Sequence, residues 1–271
     1  MSSVRIIVAD SATKINAEAA GAVVVNASHG GVYAAYLVAA VGVRASIFND
    51  AGVGKDGAGI AGLKYLEELG TAAAAVGHDT ARIGDGKDVM ERGIISHANG
   101  LAHSLGCRSG MRCRDAASLL VNASLMKSKP KPYAEARRLI LGGAVEVWCL
   151  DSVSLVLPED KNRIVLTGSH GGLLGGKPET ALQYDAVAAF FNDAGVGMDN
   201  AGISRLPALD KRGIPAATVS AASARIGDGR STYNDGILSA VNYAAAALGG
   251  KVGLPARDFV DMIVNRAQRR K

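Results

Sequence analysis

The chain has 271 residues, enough for two domains or one large α/β unit at roughly 150 residues per domain. Hydrophobic residues make up 48% and charged residues 20%, with 34 glycines against 7 prolines, which excludes a disordered, collagen-like or disulfide-scaffolded chain. The net charge of +5 sits in two basic segments, 127–138 and 266–271, which leave the remainder net negative; with an aromatic content of only 4%, no nucleic-acid partner is expected.

Short β-branched or apolar runs at 5–9, 23–26, 45–49 and 72–76 alternate with helical stretches near 32–41, 57–69 and 88–105. That alternation predicts a mainly parallel sheet with crossover helices, and Gly42 and Gly70 stand where helix C-caps belong. A Lys/Pro stretch at 127–132 comes next, then a predicted short helix over 133–141 ended by Gly142-Gly143. Strand-like runs resume at 145–150, 164–167, 187–191 and 217–220. The longest apolar stretch, 34–43, is about half of the ~20 residues a membrane span needs. The start Met-Ser-Ser-Val-Arg has no signal-peptide core, and Cys107, Cys113 and Cys149 show no metal-ligand spacing. A cytoplasmic protein without a membrane partner is therefore expected.

The chain repeats itself. Asp10-Ser11 recurs as Asp151-Ser152 and Ser28-His29-Gly30-Gly31 as Ser169-His170-Gly171-Gly172, both at an offset of 141. Phe48-Asn49-Asp50-Ala51-Gly52-Val53-Gly54 recurs from Phe191, and Ala81-Arg82-Ile83-Gly84-Asp85-Gly86 from Ala224, both at an offset of 143. The two extra residues lie near Gly175-Gly176-Lys177-Pro178, which breaks the helix carried after the first Ser-His-Gly-Gly. The expected fold is α/β, with two tandem homologous βα halves of mainly parallel sheet related by a pseudo-twofold axis. Residues 1–126 form the first repeat, 127–144 a basic linker with a short helix, and 145–271 the second repeat.

Each shared motif comes after an apolar run and precedes a helix, so it falls at the carboxyl ends of parallel strands, where open α/β sheets bind ligands. His29 and His170 are the candidate acid/base groups, with Asp50 and Asp193 to orient them. Ser28 and Ser169 are candidate nucleophiles, although neighbours on an extended chain point to opposite sides, which makes the adjacent histidine a poor base. The amides of Gly30, Gly31, Gly171 and Gly172 are expected to hold an oxyanion. Arg82 and Arg225 are expected to clamp a substrate anion unless they pair with Asp85 and Asp228, and Asn49 and Asn192 complete the binding set. His97 and His103, read as lying on one helix six residues apart, face different sides and are not expected to ligate.

Strand, Ser28-His29-Gly30, helix, strand and then Asp50-Ala51-x-x-Gly54 is similar, over some 25 residues, to the His and Cys loops of caspase-type cysteine peptidases. The position after Ala51 or Ala194 is glycine, so the thiol nucleophile is missing and no residue role carries over. No GxxxxGK[ST] loop is present, and no dinucleotide or nucleoside triphosphate is inferred.

The expected function is a hydrolase of a carboxylate- or amide-bearing metabolite, working by His-centred acid/base chemistry. The alternatives are an isomerase or epimerase of a small carboxylate and a non-catalytic anion-binding protein. The expected partner is a small molecule with an anionic group, and self-association into a homo-oligomer is allowed. No cofactor is expected; one His with one or two carboxylates leaves a divalent metal open, its ligands unknown.

Overall fold

Alternate residues of the valine and alanine runs face opposite ways, and both faces are apolar, as a sheet covered by helices on both sides requires. The computed structural model describes residues 4–268. The basic tail is therefore seen only through Gln268, and Arg269, Arg270 and Lys271 lie outside the described residues.

The N-terminal half runs β1 (Ile6–Ala9), β2 (Val23–His29), α1 (Val32–Val41), β3 (Ala45–Asn49), α2 (Ala61–Glu68), β4 (Ala72–Val76), α3 (Gly86–Arg92), β5 (Ile95–Ala98), α4 (Gly100–Ser104) and α5 (Cys113–Leu120). Its strands lie in the order β1-β2-β3-β4-β5, parallel except for the last. Val23, Val25, Ile47 and Ala74 pack toward α5, while Val24, Phe48, Ala73 and Ala75 pack toward α1 and α2. Gly42 closes α1 in the left-handed region at φ 81°, as its position predicted.

The C-terminal half runs β6 (Arg137–Leu141), β7 (Val147–Leu150), β8 (Ile164–His170), β9 (Ala188–Asn192), α6 (Arg205–Asp210), β10 (Ala216–Val219), α7 (Gly229–Asn234), β11 (Leu238–Val241), α8 (Tyr243–Ala247) and α9 (Ala256–Gln268). Strands β7 to β10 are parallel, with β6 and β11 antiparallel at the two edges. The fold is thus α/β with two mainly parallel mixed sheets of five and six strands.

Two local expectations differ from the structure. The stretch 88–105 is not one helix: the chain reverses at Gly93, where a Cβ would lie 2.4 Å from the Val89 carbonyl, and Ile95–Ala98 pairs antiparallel to β4. His97 is consequently on a strand and His103 on α4. The helix expected over 133–141 is instead an irregular segment leading into β6. Arg137 fixes that strand by bonding Asp160, which is fully buried, at 2.6 Å and by lying over the Trp148 ring.

The halves meet through turns that are strained on both sides. Ala51, Gly52 and Val53 all have positive φ, as do Ala194, Gly195 and Val196, a conformation a β-branched residue adopts only under constraint. A Cβ on Gly52 would lie 3.0 Å from Gly195 Cα, and Ala51, Ile83, Ala194, Ala201 and Ile226 form a small apolar cluster at the junction. Backbone bonds cross it from Lys55 to Ala221 (2.8 Å) and from Met198 to His78 (2.7 Å). No helix among the described residues is long and apolar enough to cross a membrane.

Candidate functional site

Strands β2 and β8 each end in Ser-His, and each histidine lies in register with the asparagine ending the next strand: His29 opposite Asn49, His170 opposite Asn192. Both imidazoles border one cavity of about 310 Å³ between the halves, with Ser28 and Ser169 on its wall. The register is irregular before each histidine, and serine and histidine face the same cavity despite being neighbours. Each ring also approaches the opposite half. Its Cε1 is 3.5 Å from where a Cβ on Gly84 would stand for His170, and 3.6 Å from the equivalent point on Gly227 for His29.

The second glycine of each motif sets the tautomer. Gly31 N–H donates to His29 Nδ1, and Gly172 N–H to His170 Nδ1, both at 3.1 Å. A ring nitrogen that accepts an amide proton carries none itself, so the neutral ring holds its proton at Nε2 and is a donor there. Burial keeps the rings neutral: it pulls His29 down to about 4 and His170 well below the ordinary range, where Arg205 and His29 add repulsion.

The other expected roles divide. The four glycine amides are not available to an oxyanion, because Gly30 and Gly171 donate to the Asn49 and Asn192 carbonyls and Gly31 and Gly172 to the imidazoles. Asn49 and Asn192 are fully buried and bind the loops themselves: each amide nitrogen donates to Ala81 or Ala224, and each side-chain oxygen accepts from Ala51 or Ala194. Asp50 orients His78 rather than His29, accepting from its amide and meeting its Nδ1 at 2.9 Å. Asp193 accepts from the Gly195 and Ala221 amides. Ser28 accepts from Ala12 N–H at 2.9 Å and Ser169 from Val153 N–H at 2.8 Å, and neither hydroxyl bonds an imidazole among the described residues.

Arg82 and Arg225 take the ion-pair alternative. Arg82 lies 3.1 Å from both Asp85 and Asp88, and Arg225 lies 3.1 Å from both Asp228 and Asp56 of the other half. Arg82 is therefore engaged in loop structure, while Arg225 borders a second, smaller cavity of about 270 Å³ that also touches His29. Among the described residues, the His97 side chain bonds only its neighbour Ser96, at 3.0 Å.

Two residues that the sequence motifs pass over complete the site. Glu135 stands in the sequence only as the lone acid of a basic segment, yet it borders both cavities, and burial with the nearby Asp151 charge pushes its carboxyl up to about 8. The segment before β6 reaches there by seating Tyr133 on Tyr33 and Tyr36 of α1, with ring centres 5.8 and 6.0 Å apart. Arg205 lines the larger cavity and stands opposite Gly62 at the 143-residue offset, a mismatch that was the available signal. Among the described residues no group of three or more His, Cys, Asp or Glu side chains is placed to hold a metal ion. Comparison with protein-family models, curated proteins and solved structures gave no match.

Proposed function

We propose that the chain is a small-molecule hydrolase that cleaves an amide C–N bond, with the reacting carbonyl held between His29 and His170. One observation carries the reading: two imidazoles from opposite halves share one small cavity, each fixed as a neutral Nε2–H donor. Such preorganised donors stabilise the oxyanion of a tetrahedral intermediate, and burial keeps them from being drowned by solvent.

The proton work falls to Glu135. Ionised, it takes a proton from water as the water oxygen attacks the carbonyl carbon; the C–O bond forms and the carbonyl π pair moves onto oxygen, between the two Nε2–H groups. Protonated Glu135 then delivers that proton to the departing nitrogen as the C–N bond breaks and the oxyanion collapses to a carboxyl group. A carboxyl near 8 is matched to both halves of this cycle. This cycle uses one acid/base group, Glu135, whereas epimerisation needs acid/base groups on both faces of a carbon. The cavity's size, at the low end of ligand sites, restricts the substrate to a small metabolite. The recurrence of the motifs, the strand order and the histidine geometry supports descent of the two halves from one duplicated unit related by a pseudo-twofold axis.

The test is amine or ammonia release from linear and cyclic amides of C3–C6 carboxylates. His29→Gln and His170→Gln are each expected to lower kcat by about 10²–10³-fold, the scale of an oxyanion donor. Full turnover in both variants overturns the reading, as does deuterium entering recovered substrate without cleavage.

A further inference from the structure

Among the described residues, Arg205 is a cation without an anion. Its side chain is 1% exposed, and no carboxylate among the described residues lies in ion-pair range. Nε donates to the His170 carbonyl at 3.2 Å and Nη1 to the carbonyls of Thr180 and Ala181, while Nη2 has no hydrogen-bond partner among the described residues. Its Cζ lies 5.3 Å from the Phe191 ring centre, and the side chain borders the cavity that holds both imidazoles. Carbonyls supply dipoles but no countercharge. Burial lowers this guanidinium to about 10, which still leaves it charged near neutral pH. Glu135, Asp151 and Glu179 border the same cavity, yet none pairs with it.

The position exists in one half only. At Gly62 a Cβ would lie 2.6 Å from both Ala35 Cβ and the Gly31 carbonyl, because α1 fills that space. In the C-terminal half two short 3-10 turns, at 174–176 and 178–180, replace that helix and open the room Arg205 occupies.

We infer that Arg205 is an anion subsite, and that the substrate is a small monocarboxylate whose carboxylate supplies the missing countercharge. Bound this way, the ligand lies in one orientation, with its anionic end toward the C-terminal half and its amide carbonyl between His29 and His170. This orientation rests on the hydrolase reading above. One guanidinium in a small cavity that three carboxyl groups also border matches a singly charged carboxylate rather than a phosphate.

The test is calorimetric binding of monoamides of C3–C6 dicarboxylates, their methyl esters and inorganic phosphate, with wild type, Arg205→Lys and His29→Gln. Wild type is expected to bind at least one acid about 10-fold or more tightly than its ester, and phosphate not at all. Arg205→Lys should narrow that gap, and His29→Gln should weaken acid and ester alike. Equal affinity of acid and ester for wild type overturns the subsite and leaves the hydrolase reading intact. Strong acid preference without amine or ammonia release by wild type keeps the subsite and overturns the hydrolase; the same preference with release unchanged in His29→Gln and His170→Gln keeps the subsite and overturns the role of the imidazoles. Absence of binding by every acid, or tighter binding of phosphate, overturns the subsite. The wild-type comparison decides the matter even if Arg205→Lys does not fold.

Discussion

The two Ser-His-Gly-Gly turns are alike to the level of one hydrogen bond, an amide to Nδ1 at 3.1 Å in each, yet the chain leaves them by different routes. After Gly31 it enters a ten-residue helix; after Gly172 it makes two short turns, and Gly62 in one half faces Arg205 in the other. The edges differ too: β1 is the open edge of its sheet, with Val8 43% exposed, whereas β7 is covered by β6, which the linker supplies. Each half keeps the donor at the strand end and changes its surroundings. A pair of equal donors with unequal flanks can hold a carbonyl symmetrically and still orient the rest of the ligand.

The sharpest break in that near-symmetry is Glu135, which sits in the segment between the halves and has no second copy. Glu135→Gln is expected to lower kcat by about 10²–10⁴-fold, the range of a lost acid/base group. In wild type, kcat/KM should rise with pH with a midpoint near 8, because burial holds the carboxyl protonated below that value. The variant should lose this limb. A profile unchanged in Glu135→Gln removes the residue from the proton transfer.

A second contrast lies in the glycines that meet the imidazoles. Gly84 and Gly227 share a positive φ, 82° and 84°, so alanine at either incurs left-handed strain of about 1–2 kcal/mol. A Cβ on Gly84 would also stand 2.3 Å from the Leu173 carbonyl, whereas on Gly227 it meets only His29 Cε1 at 3.6 Å. Gly84→Ala should therefore destabilise by a further ~1–3 kcal/mol relative to Gly227→Ala in urea denaturation. Equal losses would mean that the two loops meet the opposite half in the same way.

Much of this is legible in the sequence and some of it is not, for identifiable reasons. Parallel strands announce themselves because Val23, Val24 and Val25, and Ile47 with Phe48, put apolar side chains on both faces. The helix after 86 reads as too long because Ile94, Ile95 and His97 fit either period, and the reversal depends on a close approach at Gly93 that only coordinates reveal. Both histidines stand at strand ends as expected, but their role turns on which nitrogen accepts the Gly31 or Gly172 amide. The carboxylate expected beside His29 goes elsewhere because β3 lies between β2 and β4, and Asp50 at its end meets His78, which follows β4, instead of His29 at the end of β2. Glu135 is invisible to a motif, since its chemistry comes from burial beside Asp151 and not from its neighbours in sequence.

Acid should act on the histidines in the same direction in both halves. His29 keeps a folded value of about 4 against an ordinary 6.5, so the unfolded chain binds its proton first as pH falls. The stability this neutral ring contributes is present above 6.5 and drains away between 6.5 and 4, by about 2–3 kcal/mol. His29→Gln removes the titration, so its stability should fall less steeply over that window in pH-dependent chemical denaturation. Parallel curves for variant and wild type would show that the imidazole is not kept neutral by the fold.

The smallest expected effect tests a pairing that the C-terminal half lacks. His78 meets Asp50 at 2.9 Å, while its counterpart Ala221 offers Asp193 only a backbone amide. The hydrogen bond to Asp50 raises His78 above its ordinary value, with the Asp50, Asp79 and Asp193 charges acting in the same sense and burial opposing. A raised folded value means that the pair's contribution is complete below about 6.5 and is lost as pH rises through the folded value. The imidazole is 31% exposed, so His78→Ala should lose only about 0.5–1 kcal/mol at pH 6 and less at pH 9. Asp50 retains its backbone donors, from His78 and Gly52, in that variant, so the strained turn at 51–53 should survive and the loss should be confined to the acid side. A loss that grows with pH would reverse the sign and show that the neutral imidazole, not the ion pair, is what Asp50 holds.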